Sequence, residues 1–171
     1  MNKGFTLVEI LITILIVTVL ITMAVPLYEK TIEKSRIAQA RVELKRIYDA
    51  KRRLLDSMDQ EYYDPTLFGF ENLDYTPACQ NARPQAGHMT QCEMDDFIFY
   101  IQPSAYTAGD AIKNYVCAVR RRGDYQGVNF LYKGDEVSGN QDKFFCSEGT
   151  VPFACDVYGM SGSNGVTYCQ M

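Results

Sequence analysis

The amino-terminal apolar run constrains this chain more than any other feature. After a short polar and basic start, Met1-Asn2-Lys3-Gly4, the 24 residues from Phe5 to Tyr28 carry a single charged side chain, Glu9. A helix of that length spans about 36 Å, enough to cross a hydrocarbon core of about 30 Å. Thr6, Thr13, Thr18 and Thr22 are compatible with it, because a helical threonine can return its hydroxyl to a carbonyl one turn earlier.

Two residues do not suit an ordinary anchor. A carboxylate at mid-bilayer costs about 2.5–3.5 kcal/mol on insertion scales. Glu9 lies nearer the end, where the cost is smaller, and still calls for a cationic partner. Pro26 has no N–H and crowds the preceding turn, so a kink or weakened hydrogen bonding is expected there. A secretory signal peptide would use Lys3 as its basic region and Thr22-Met23-Ala24 as its cleavage site. Against it, the apolar run exceeds the usual 7–15 residues and an acid stands near its start. A plain signal anchor leaves Glu9 without a role.

Beyond Pro26 the helical character continues and the polarity changes. From Glu29 to Met58 there is no Gly or Pro, and Ile37, Ala40, Leu44, Ile47, Leu54 and Met58 step by three or four, with Lys51 interrupting. This is one apolar stripe on a 3.6-residue period. The helix is expected from near Phe5 to about Met58, its stripe lying on a sheet. A coiled coil is a poorer reading, because two to three heptads with a lysine in the seam pair badly. Lys30, Lys34, Arg36, Arg41, Lys45, Arg46, Arg52 and Arg53 on the other faces read as a solvated surface. Residues 1–53 carry net +5 and residues 54–171 net −9. Copies of the chain could complement one another through this asymmetry, and such assembly would be salt-sensitive. The overall charge of −4 speaks against nucleic acid as an obligate partner.

Residues 59–96 read as a long loop pinned by Tyr62, Tyr63, Phe68, Phe70 and Tyr75 and punctuated by Pro65, Gly69, Pro77, Pro84 and Gly87. Three strand-like runs follow, Phe97–Ile101, Tyr115–Val119 and Val128–Tyr132, with a hairpin turn at Gly123–Gly127. They predict a small antiparallel meander that needs the helix as a partner to be stable. Residues 135–171 are rich in Gly, Ser, Asn and Asp and read mostly as loop, with a short strand at Val166–Tyr168.

Six cysteines, Cys79, Cys92, Cys117, Cys146, Cys155 and Cys169, all follow the apolar run. Lys3 favours a cytoplasmic amino terminus, which puts the remainder in an oxidising compartment. An even count there implies three disulfides. No Cys-x-x-Cys spacing occurs, which argues against a zinc or thioredoxin-like site, and six cysteines allow fifteen connectivities.

Gly4-Phe5-Thr6-Leu7-Val8-Glu9, preceded by Lys3 and followed by the apolar stretch, resembles the amino-terminal signature of type IV pilins and pseudopilins. The short leader, the Gly before the cut, the Phe after it and the Glu five residues into the mature chain all match, and Pro26 stands where many of these proteins have a proline. The resemblance implies an α+β pilin fold: a long helix, its first half transmembrane, packed on a small antiparallel sheet with disulfide-stapled loops. It implies a cleaved leader (1–4), a transmembrane and assembly half-helix (5–28) and a globular head (29–171). A prepilin peptidase would cut between Gly4 and Phe5 and N-methylate Phe5. The new ammonium would then be the partner of Glu9, in the same subunit or in a neighbour already in the fibre. In low dielectric an opposite charge within about 4–6 Å strongly favours the ionised form. The favoured disulfide pairing is sequential, Cys79–Cys92, Cys117–Cys146 and Cys155–Cys169, with the resemblance supporting the last in particular.

The expected function is therefore a structural subunit of a type IV pilus, a homo-oligomeric helical fibre. An inner-membrane assembly platform would draw it from the bacterial inner membrane to the cell surface. A pseudopilin of a type II secretion system, working in the periplasm, shares the signature. Cysteines favour the pilus, since the major pseudopilin typically lacks them and uses calcium instead. A signal-anchored periplasmic binding domain is a third reading. No enzyme is expected: a single His, and no nucleophile elbow, P-loop or dinucleotide fingerprint, leave no catalytic set. No cofactor is expected either. Calcium is weighed at Asp95-Asp96 and Asp135-Glu136, where no EF-hand-like run supports it. Arg122-Gly123-Asp124 reads as a turn, Arg120-Arg121-Arg122 as a solvated strand end and His88 as a solvated loop residue.

Overall fold

A computed structural model of the chain describes residues 6–57, 69–75, 78–85, 88–101, 115–133, 143–163 and 169. Helix α1 (Leu7–Ser57) runs 51 residues without interruption at Pro26. Pro26 cannot donate to the carbonyl of Thr22, and the helix absorbs that single missing bond. The threonine hydroxyls behave as the sequence suggests: Thr13, Thr18 and Thr22 donate to the carbonyls of Ile10, Leu15 and Val19, each at 2.8 Å. At the other end Ser57 Oγ donates to the Leu54 carbonyl at 2.6 Å.

The second half of α1 lies on a seven-stranded sheet whose strands follow chain order. These are β1 (Asn81–Gln85), β2 (His88–Met94), β3 (Phe97–Tyr100), β4 (Tyr115–Arg120), β5 (Asn129–Lys133), β6 (Lys143–Ser147) and β7 (Gly162–Ser163). Each neighbouring pair is antiparallel except β6–β7. A 3-10 turn (Phe70–Asn72) precedes the sheet, and the short helix α2 (Ala154–Val157) follows β6. The apolar stripe predicted on α1 forms the core: Leu44 and Ile47 are fully buried and Ile37 and Ala40 nearly so. Full burial of such an aliphatic side chain contributes about 1.5–3 kcal/mol. Tyr48 packs edge-on to Tyr132 of β5, ring centroids 5.0 Å apart.

The three predicted strands are present as β3, β4 and β5, so the α+β architecture with an antiparallel meander on the helix is as expected. The β4–β5 turn is also where the glycines place it. Gln126 N–H donates to Gly123 O at 3.1 Å and Gly127 N–H to Arg120 O at 2.8 Å. Gly123 and Gly127 have φ of +79° and +87°, which side-chain-bearing residues adopt only with strain.

Two readings need correction. Residues 81–85 and 88–94, expected within a loop, pair as the antiparallel strands β1 and β2. Pro84 discourages a strand assignment, yet β1 is the sheet edge and its register shifts between Arg83 and Pro84, where a proline is tolerated. His88 accordingly lies in β2 rather than in a loop. The region after residue 135, expected as mostly loop, contributes β6, α2 and β7. Its apolar runs are too short to stand out against the surrounding Gly, Ser and Asn. Tyr62, Tyr63, Phe68, Met58 and the Val166–Tyr168 strand lie outside the described residues.

The disulfides are Cys79–Cys92, Cys117–Cys169 and Cys146–Cys155. The expected Cys117–Cys146 and Cys155–Cys169 bonds are therefore wrong, for a geometric reason. Cys117 pairs with Leu131 across β4–β5, and Cys146 with Phe130 across β5–β6. A whole strand separates them, which puts them about 9–10 Å apart, beyond the roughly 7 Å a disulfide can bridge. Cys146 instead meets Cys155 as α2 folds back, and Cys117 captures Cys169.

Candidate assembly site

The site begins at the helix start. Thr6 and Glu9 form a reciprocal capping box: Thr6 N–H and Thr6 Oγ1 both donate to Glu9 Oε2 at 2.9 Å, and Glu9 N–H donates to Thr6 Oγ1 at 3.3 Å. Thr-x-x-Glu ahead of an apolar run is the pattern for this motif. The Thr-x-x-Glu pattern gives Glu9 a local role beside the cationic partner that the sequence suggests for it. Gly4 and Phe5 lie outside the described residues.

From Leu7 to Tyr28 the helix projects away from the sheet. It is long and apolar enough to cross a membrane, and none of its most apolar window is buried by the head. Leu7, Leu27 and Tyr28 are each about two-thirds exposed or more. Pro26 lies on this bare segment. A surface this large and apolar must be covered by lipid or by other protein.

Where α1 meets the head, charge is buried. Arg120 at the end of β4 is only 2% exposed, and Glu33 only 4%. Arg120 Nε meets Glu33 Oε1 at 2.6 Å and Nη2 meets Oε2 at 3.2 Å. Arg120 Nη1 also contacts the Asp96 carboxylate at 3.1 Å and donates to the Asp96 carbonyl at 3.0 Å. Arg36 closes the cluster on Glu33 and Asp96, both at 3.0 Å. The guanidinium of Arg120 stands 5.2 Å over the Phe97 ring. Burial alone would lower the Arg120 pKa, but the bonds from Glu33 and Asp96 outweigh it and raise it. The reading of Arg120 as a solvated strand end is thus corrected: it clamps the sheet to the helix. Sequence reasoning missed it because its partner lies 87 residues away.

A second buried cation sits farther along the helix. Lys51, which interrupts the apolar stripe, is 1% exposed and donates Nζ to the Ile101 carbonyl at 3.1 Å. Desolvation lowers its pKa to about 7. Two further contacts tie the segment after α1 to the helix. Arg53 Nε and Nη2 meet Asp74 Oδ2 and Oδ1 at 2.6 and 2.9 Å, and Tyr75 Oη donates to Glu43.

Residues 1–25 match the family described as the prokaryotic N-terminal methylation motif. The chain carries the type IV pilin/pseudopilin signature. No curated protein and no solved structure matches it. The signature ends at residue 25 and stops short of the clamp at Glu33. The remaining motifs fall into place around it. Arg122-Gly123-Asp124 lies in the exposed β4–β5 turn. Asp96 is engaged by two arginines, and Asp95 accepts from Gln80 Nε2 at 2.9 Å. Asp135-Glu136 lies outside the described residues. Among the described residues, no group of three or more His, Cys, Asp or Glu is placed to hold a metal.

Proposed function

We propose that this chain is a structural subunit of a type IV pilus, with no catalytic activity and no need of a cofactor. It waits in the inner membrane as a single-pass protein. A prepilin peptidase removes Met1–Gly4 and methylates Phe5, and an assembly platform then draws the subunit into a helical fibre. The observation that carries this reading is the methylation motif on a helix whose apolar half its own head leaves bare. Such a helix can exchange acyl chains for neighbouring apolar helices when the subunit leaves the membrane. Glu9 spends one oxygen on its capping box, and we assign the other to the Phe5 ammonium exposed by cleavage. A buried charge pair of this kind fixes axial register in a polymer.

Three disulfides in the head suit an oxidising compartment, periplasm or cell exterior alike, and the cysteines favour the pilus because the major pseudopilin typically lacks them. Intact-mass measurement on the membrane-extracted protein tests processing: the chain should begin at Phe5, carry one added methyl and contain three disulfides. Fibres sheared from the cell surface should contain it. A chain still beginning at Met1, or one found only in the periplasm and required for protein export, would overturn the pilus reading.

A further inference from the structure

The turn after β6 presents Phe153, 73% exposed and the most exposed large apolar side chain among the described residues of the head. Its backbone is left-handed, with φ +60° and ψ +13°, a conformation that a bulky residue adopts only at a cost. Most of the structure around it is fixed: Cys146–Cys155 closes the loop and Ala154 and Cys155 are buried. An aromatic held in solvent on a strained and covalently closed turn has a use beyond the core.

Strand register shows where that turn lies. Arg120 ends β4 beside Glu33, whereas Tyr132 lies beside Tyr48 and Ile101 receives Lys51. The strands therefore run along α1, with Arg120, Asn129 and Ser147 at the Glu33 end. The turns at that end carry Asp95 and Asp96, residues 121–128, and the segment 148–153. Tyr158, which closes α2, packs at a tilt on Tyr125 and edge-on to Phe130 in the same layer, 5.7 and 5.2 Å between centroids. Glu33 is five residues past Tyr28, a rise of about 7.5 Å. The headgroup layer on each side of a bilayer is about 5–7.5 Å thick. This end of the head is thus held within a headgroup's depth of any bilayer that α1 spans. Lys30 and Lys34, both exposed, bring positive charge to the same level.

We propose that the Glu33 end of the head rests on the phospholipid headgroup layer before extraction, with Phe153 inserted as an interfacial aromatic anchor. The proposal rests on α1 spanning a membrane and is independent of whether the fibre is a pilus or a pseudopilus. Trp and Tyr are enriched at this depth, and Phe is among the apolar side chains that interfacial segments bury at the boundary of headgroups and acyl chains.

The chain has no tryptophan, so Phe153→Trp supplies its sole indole. The full chain is reconstituted in phosphatidylcholine–phosphatidylglycerol vesicles containing a lipid quencher labelled near the headgroup. F153W should be quenched at least about threefold more than Lys133→Trp, a reporter on the exposed residue at the far end of β5. Thr150→Trp, on the same turn, serves as a second reporter should F153W fail to fold. Equal quenching at both ends overturns the proposal. So does an emission shift that follows protein-to-lipid ratio without quenching, which would assign Phe153 to a contact with a second copy. Flotation of the vesicles separates the premises: a chain that fails to float with lipid overturns the membrane reading itself, and the anchor with it.

Discussion

Arg120 of β4 grips Glu33 of α1 through two nitrogens, at 2.6 and 3.2 Å, and both side chains are almost wholly out of solvent. This pair joins the helix to the sheet at the point where the apolar segment leaves the head. Stranding one charge of a buried pair costs about 3–5 kcal/mol, and Arg36, which stays 3.0 Å from Glu33, holds the expected loss to about the lower end of that range. Arg120→Met should therefore destabilise the head by that much in urea unfolding of the detergent-solubilised chain. The double replacement Glu33→Leu with Arg120→Met should recover most of the loss. A double variant as unstable as the single one would show that packing of the arginine stem, rather than its charge, carries the effect.

Lys51 gives the head a pH signature. Its pKa is lowered to about 7 in the folded chain, against the ordinary lysine value of 10.5 when unfolded. Between those values the unfolded chain binds more protons, so stability should rise with pH from about 7 toward 10. Below pH 7 the cost of the buried charge is fully present. Lys51→Met should flatten this slope between pH 7 and 9. At pH 6 it should stabilise the head by about 1–3 kcal/mol, the lost charge penalty being partly offset by leaving the Ile101 carbonyl without its donor. Urea midpoints across that pH range provide the check.

The disulfides should differ in worth. On the chain-entropy account, the 52-residue separation of Cys117 and Cys169 corresponds to about 4 kcal/mol. The 13-residue separation of Cys79 and Cys92 and the 9-residue separation of Cys146 and Cys155 correspond to about 2.5–3 kcal/mol. Paired Cys→Ala replacements should rank in that order by denaturant midpoint. Peptide mapping of the unreduced protein should find Cys169 joined to Cys117.

Glu9 serves a capping box within the chain and, as we propose, an ammonium after cleavage. Two substitutions separate these roles. Thr6→Ala removes the two capping bonds made by the hydroxyl, leaves the backbone N–H bond to Glu9 and keeps the acid, costing about 0.5–2 kcal/mol at the helix start. Glu9→Leu removes both. Membrane insertion should survive in each, whereas incorporation into fibres should fail only for Glu9→Leu. Normal fibres from Glu9→Leu would refute the pairing role.

The sequence was most legible where a physical pattern is local. The apolar run, the stripe Ile37–Ala40–Leu44–Ile47 and the aromatic strands β3 to β5 each carry their own period, and all three appear in the fold. The β4–β5 turn was legible because Gly123 and Gly127 meet a conformational demand. What escaped depends on distant parts of the chain. Arg120 looks like a surface arginine until Glu33 is brought to it. Lys51 looks like a flaw in the stripe until Ile101 offers a carbonyl. The cysteine pairing followed from which strands are neighbours, and a reading that lacked β6 as a strand could not see that β5 stands between Cys117 and Cys146.

One covalent bond decides how this subunit would carry load. Cys169 is fastened to Cys117 on β4, so tension applied between the two ends of the chain passes through that bond directly. Strands β5 and β6 and helix α2 are bypassed and stay slack. The covalent path runs from α1 through β1, β2, β3 and the start of β4 to Cys117, and Arg120, three residues farther on, lies outside it. In a filament under traction, everything between Cys117 and Cys169 would hold its shape as a passive appendage while the elements ahead of Cys117 bear the pull.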